Sequence, residues 1–213
     1  MKKNSNKLLG AGTVDRVLFA MLLLLVVWLP FPWGSNRPWA EALLGTLAGF
    51  LCLSYLLAQI FTRSPNVFSP RLYLWPLLLW MLWLGWIALQ LVPVDFDHLK
   101  TFSPAAAQLY ASAFPTSHDK MSWSVSVFPG LTYHRWLLSL GYFSLYLVVL
   151  GLARDRNRLQ TLGNILVISA LLQAAYGGIM VLSGIEYGFF EKKTAYLGVA
   201  TGTFVNRSHL AGY

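Results

Sequence analysis

Five apolar runs, at residues 17–33, 40–61, 72–92, 136–153 and 162–182, divide the chain into hydrophobic stretches separated by polar ones. Each run approaches the roughly 17 to 25 residues that a helix needs to cross ~30 Å of hydrocarbon. The pattern predicts an all-α, polytopic transmembrane helical bundle with five complete spans. A sixth span is expected to begin at the last residues. The resulting division is a cytoplasmic tail at 1–16, spans one to three within 17–92, an outer loop at 93–135, spans four and five within 136–182, and a second outer loop with the start of span six at 183–213. Lys2 and Lys3 before an apolar stretch resemble a signal peptide, but the small-x-small triplet Ala40-Glu41-Ala42 lies too far downstream for cleavage. The first run is therefore read as an uncleaved anchor, and Met1 to Lys7 as a flexible tail.

The first outer loop has a pattern of its own. Ser103-Pro104 is a helix start, a hydroxyl at the N-cap with proline in the first turn, and Ala105 to Phe114 continue it as a short helix lying along the membrane surface. Residues 122–127 then alternate polar and apolar side chains, as an extended segment with one buried face does, and Pro129-Gly130 ends it.

Composition supports the bilayer assignment: 56% of the 213 residues are hydrophobic, 11% are charged and mean hydropathy is +0.55. A formal charge of +8 raises the question of nucleic acid, but the basic residues fall in short clusters between apolar runs rather than in one stripe. With the N-terminus in the cytoplasm, the short inner segments hold Lys2, Lys3, Lys7, Arg16, Arg63, Arg71, Arg154, Arg156 and Arg158, nine of sixteen basic residues, which satisfies the positive-inside rule. Trp28, Trp33, Trp39 and Trp136 then fall at the outer interface, where indole keeps its ring apolar and its N–H wet. Cys52, the single cysteine, builds no disulfide within the chain and is read as packing.

The spans carry few polar side chains. Gln59, Gln90, Asn164 and Gln173 are amides of the kind that bond a neighbouring helix, and no embedded carboxylate suggests an ion-coupled carrier. Gly177-Gly178 is read as close helix packing. His98 and His118, beside Asp97 and Asp119, are surface residues with too few ligands for a metal site, and Lys192 and Lys193 are a solvated loop offset by Glu191.

The last stretch, from Gly202 through Thr203, Phe204, Val205, Asn206, Arg207, Ser208, His209, Leu210, Ala211 and Gly212 to Tyr213, concentrates the chemistry. Asn206 or Ser208 is a natural N-cap, which puts Arg207 and His209 where a helix N-terminus already attracts anions. Two readings follow: a phosphate-binding site, or an arginine among lipid headgroups with a histidine at the helix cap. The Asn206-Arg207-Ser208 sequon is a poor acceptor at a helix entering the membrane.

This run resembles the signature that opens the core domain of the bacterial O-antigen ligase family, which includes polysaccharide polymerases and protein O-glycosyltransferases. Gln90-Leu91-Val92-Pro93, Phe102-Ser103-Pro104 and the serine-rich segment before Tyr133 are also similar to that family's N-terminal half. Ser208 and Leu210 depart from the asparagine and phenylalanine common there. The resemblance implies a metal-independent, cofactor-free glycosyltransferase of lipopolysaccharide or polysaccharide biosynthesis in the bacterial inner membrane. It would take glycan from undecaprenyl diphosphate and pass it to lipid A core, polysaccharide or protein. Arg207, His209 and Asn206 are the diphosphate-binding candidates, and His134 and Arg135 a secondary pair whose other reading is an interfacial anchor beside Trp136. No catalytic residue is assigned and no nucleic-acid partner is expected. The family's core domain would continue beyond Tyr213, so the chain is expected to be an N-terminal portion, inactive alone. A non-catalytic membrane partner and a polysaccharide transporter or flippase are the alternatives.

Overall fold

The computed structural model describes residues 2–62, 70–115, 122–188 and 190–212. Arg63, His118, Asp119, Lys120 and Tyr213 lie outside them. A helix forms at every one of the five apolar runs: α1 (Lys2–Trp28), α2 (Pro38–Thr62), α3 (Pro70–Leu89), α6 (Pro129–Leu152) and α7 (Arg156–Ser183). Two short helices, α4 (Phe96–Phe102) and α5 (Pro104–Ala113), occupy the loop between α3 and α6. Beyond α7 come a two-stranded hairpin, β1 (Tyr187–Gly188) with β2 (Glu191–Lys192), and the short α8 (Arg207–Ala211). Among the described residues, three helical stretches, Pro38–Phe61, Pro129–Leu152 and Arg156–Ser183, are long and apolar enough to cross a membrane, and Tyr73–Leu89 is a shorter apolar helix. The protein is thus helical and built for a bilayer.

The chain forms two compact units, Met1–Phe68 with Ser144–Tyr213, and Ser69–Phe143. In the first, Leu18, Leu22 and Val26 of α1 meet Leu51, Cys52 and Tyr55 of α2 and Val148 and Leu152 of α6 in one buried cluster. Helical spacing places these side chains on one face of each helix, and Cys52 is a packing residue there. One end of this unit is tied by charge. Asp15 pairs with Arg158 and, at 3.7 Å, with Arg154, while the Arg154 guanidinium lies over the Tyr55 ring. Asp155 caps α7 by accepting from the backbone N–H of Arg158 at 2.9 Å. Arg154 and Arg158, expected only as topology signals, therefore also hold helices together.

In the second unit, Phe96 and Leu99 of α4 pack with Ala106, Ala107 and Tyr110 of α5 and with Trp123. Asp95 caps α4, accepting from the His98 backbone N–H and lying 2.5 Å from its ring Nδ1. The backbone N–H first and the ring second hold the Asp95 carboxyl below its usual pKa. The short helix expected at Ser103-Pro104 is α5, with Pro104 in its first turn, although the Ser103 side chain makes no cap bond. Its backbone N–H is already committed to the Leu99 carbonyl at the end of α4.

Of the extended segment expected at 122–127, only a single bridge forms, Val94 with Trp123. The serines beyond it turn their hydroxyls to local partners, Ser124 to the Ser126 carbonyl and Ser126 to Thr132. Pro129 then opens α6 rather than ending a strand, as a proline at the first helical position can. Two more expectations are corrected. The residues expected as a flexible tail are helical from Lys2, and the first apolar run ends its helix at Trp28, because Pro30 and Pro32 cannot continue it.

Candidate functional site

The glycine-rich start of the last motif is held by a knot of buried contacts within the first unit. Gln173, 2% exposed on α7, offers its Oε1 to Thr203 twice, to the backbone N–H and to the hydroxyl, both at 2.9 Å. The same hydroxyl lies 2.5 Å from the Pro30 carbonyl, so Thr203 joins α7 to the turn after α1. Gly202 sits at φ +57, and a Cβ there would meet Gln173 Oε1 at 2.7 Å and its carbonyl at 3.0 Å. Only glycine combines that backbone with that space. Gly177 faces the Gly202 backbone nitrogen and Leu210 of the short helix α8, so one half of the Gly177-Gly178 pair does serve close packing, against the loop and that helix. Gln173 likewise bonds the loop.

The turn that receives Thr203 is itself strained. Trp33, Gly34 and Ser35 all have positive φ, at 56°, 65° and 55°. Two of the three carry side chains, so the conformation persists because neighbours over-determine it. Phe204 lies against Gly34, Trp33 lies against Gly188 of β1, and the Ser35 hydroxyl donates to the Leu29 carbonyl at 2.7 Å. Trp33 is 7% exposed, so it is a buried wedge in this knot rather than a wet interfacial indole. In the other unit, Trp136 gives its N–H to the Leu84 carbonyl at 3.0 Å.

Lys193 overturns its expected place in a solvated loop. It is 4% exposed, with Nζ donating to the Val199 carbonyl at 2.9 Å and pairing with Glu186 at 2.9 Å. The Lys193 side chain, then the Gly198 backbone N–H, hold the Glu186 carboxyl below its usual pKa of 4.5. The β1–β2 hairpin turns Lys193 inward, and Lys192 remains exposed. Nothing in the spacing of Glu186 and Lys193 distinguishes this from a surface pair.

Beyond the knot the chain surfaces. Asn206 caps α8 through its side-chain oxygen, which accepts from the Ser208 backbone N–H at 2.9 Å. Arg207 and His209 are exposed, while Leu210 reaches back to Gly177 and Gly202. α8 has five residues, too short for a substantial dipole, so Arg207 attracts anions by its own charge. The structure brings Asn206, Arg207 and His209 together on one turn and assigns Asn206 to the cap. His134 and Arg135 belong to the other unit, on α6, where His134 is half-buried, Arg135 is exposed and Tyr133 stacks on Trp136 with ring centroids 6.3 Å apart. Among the described residues, no three of His, Cys, Asp and Glu converge to hold a metal ion.

No family model, no curated protein and no solved structure matches this chain.

Proposed function

We propose that this protein binds the donor of a membrane glycosyltransferase reaction of the O-antigen ligase type. Its donor is glycan on undecaprenyl diphosphate, and its acceptor is lipid A core, a polysaccharide or a protein hydroxyl. One observation carries the reading: Arg207 and His209, in the motif whose sequence resembles that family, stand exposed directly after a buried anchor at Thr203. A diphosphate leaving group needs cationic donors aimed at its oxygens, and guanidinium supplies a two-pronged one.

In this reading the protein lies in the bacterial inner membrane with its N-terminus in the cytoplasm, five spans, and residues 93–135 and 183–213 on the periplasmic side. Two features of the first unit support that sidedness. Arg154 and Arg158 gather with Asp15 at one end, and the turn at 30–35 meets the 186–204 loop at the other. Arginines favour the cytoplasmic end.

The test is binding of undecaprenyl diphosphate to the protein in nanodiscs of zwitterionic lipid. Arg207→Ala is expected to weaken binding at least tenfold, about 1.4 kcal/mol. Arg207→Lys should recover part of it, since lysine keeps the charge and loses the fork. Equal affinities for all three proteins would make Arg207 a headgroup anchor and end the reading.

A further inference from the structure

α6 ends at Leu152 and α7 begins at Arg156, and both are long and apolar enough to cross a membrane. The turn between two such helices lies at the level of the lipid headgroups. Arg154, Asp155, Arg156 and Arg158 are therefore at that level, and so are Asp15 and Arg16 of α1, because Asp15 pairs with both Arg154 and Arg158.

The charges of this cluster do not cancel. Four arginines stand against two aspartates, an excess of two positive charges, and the first turn of α7 holds no acidic residue. Arg158 is fully engaged: its guanidinium donates to the Leu152 carbonyl at 2.9 Å, pairs with Asp15 and Asp155, and lies over the Phe19 ring. Arg154 is only partly engaged. Its Nε donates to the Gly151 carbonyl, and Nη2 reaches the Tyr55 hydroxyl at 3.4 Å and Asp15 at 3.7 Å, which leaves Nη1 with no partner among the described residues. Arg16 and Arg156 are exposed and make no ion pair among the described residues.

We propose that this cluster binds the phosphodiester of an anionic phospholipid in the leaflet at this end of the spans. Such a site owes nothing to the donor reading, which concerns the other end of the unit. Guanidinium groups take phosphate oxygens with a two-pronged fork, and Arg154 is held by Tyr55 and Asp15 before the lipid arrives. Basic pockets between membrane helices recognise anionic headgroups in this way. A zwitterionic lipid brings the same phosphate with its own cation, so it leaves the excess charge uncompensated. Val17 and Leu159, next in sequence to Arg16 and Arg158, are 53% and 54% exposed and offer apolar surface to the start of an acyl chain. A phosphate free in solution makes no use of that surface.

The experiment places the full chain in phosphatidylcholine nanodiscs with a trace of phosphatidylglycerol or phosphatidylcholine, each carrying the same photoreactive group at the top of one acyl chain. Peptide mapping then locates the label. The phosphatidylglycerol probe should label residues 12–19 and 151–160, about fivefold or more above the phosphatidylcholine probe, the factor one basic side chain contributes near an anionic surface. Arg16→Gln and Arg156→Gln remove side chains that hold nothing in the fold, and each should lower that labelling about fivefold. Asp15→Asn enlarges the excess charge and should raise it, whereas a purely structural role for these residues gives the opposite sign. Arg207→Ala should leave it unchanged. Equal labelling by the two probes, labelling confined to other segments, or unchanged labelling in both glutamine variants overturns the site. Lower labelling in Asp15→Asn does so too. Displacement of the probe by soluble glycerol phosphate would assign the cluster to a free phosphate and overturn the phospholipid.

Discussion

The two ends of the first unit are tied by opposite chemistry. At one end Asp15, Arg154 and Arg158 make ion pairs between side chains 20% to 31% exposed, where water and salt still reach them. At the other, Gln173, Thr203 and the Pro30 carbonyl make neutral hydrogen bonds in full burial, beside the Lys193–Glu186 pair. A wet ion pair tolerates adjustment, since solvent replaces part of whatever is lost. A buried donor that loses its acceptor has no replacement and keeps the whole desolvation cost. The charged end therefore tolerates small displacements of its helices, and the neutral end sets where individual atoms lie. The candidate site follows directly after the neutral end.

Glycines provide the strongest way to break this contrast, because each end has one in tight contact. Gly202→Val joins an unfavourable φ to a clash with Gln173, and the strain and overpacking together should cost about 3–5 kcal/mol. Gly151→Ala presses on the far end of the Tyr55 side chain at the charged end rather than on backbone, so about 1–3 kcal/mol is expected. Unfolding in mild detergent measures both. A larger loss for Gly151→Ala would reverse the assignment of rigidity.

Gln173→Leu keeps the volume and removes the acceptor, leaving the Thr203 N–H unpaired and its hydroxyl with Pro30 alone. About 2–3 kcal/mol of destabilisation is expected. Thr203→Val in the same background should add less than it does alone, with a coupling of about 1–2 kcal/mol. Simple additivity would mean that the two residues do not act as one anchor.

Lys193 sharpens the comparison because it is a charge placed at the neutral end. Lys193→Met takes the cation from Glu186, which is half-buried at 16% exposed, so the protein should melt at a lower temperature, with a smaller loss than breaking a fully buried pair would cause. Glu186 titrates below 4.5 in the folded protein, so its contribution is present above pH 4.5 and is lost as pH falls through the folded value. The melting temperature of the unsubstituted protein should drop across that acid window, and the drop should shrink in Lys193→Met. Identical acid profiles would remove Glu186 from the account.

Much of the fold was legible in the sequence because a membrane-length apolar run has few alternatives to a helix, and all five runs became one. The ties between helices were not. Asp15 and Arg158 are 143 positions apart, and Gln173 and Thr203 are 30 apart, so no local pattern announces either pairing. α4 escaped notice because seven residues with Asp, His and Lys among them carry little helical signal until Asp95 is seen to cap them. At the candidate site, the motif stood out by its residues and the cap at Asn206 followed from its type. The burial of Lys193 did not, because a hairpin of two-residue strands decides which of two adjacent lysines turns inward.

The smallest effect is expected at Asp15. Asp15→Asn removes the carboxylate that faces both Arg154 and Arg158, but each guanidinium keeps other partners: Arg154 has the Gly151 carbonyl and the Tyr55 ring, and Arg158 has the Leu152 carbonyl, Asp155 and the Phe19 ring. The pairs are partly exposed, so the loss should be about 1 kcal/mol and should fade as salt rises. Orientation should not change, because positive-inside topology counts arginine and lysine and gives acidic residues little weight. Binding of undecaprenyl diphosphate should not change either, if the neutral end alone positions Arg207. Unfolding at low and high salt, with donor affinity measured on the same preparation, makes the check. A loss above ~3 kcal/mol that salt does not reduce would mean that this end is as dry as the other, and an altered donor affinity would show that the two ends are coupled through α7.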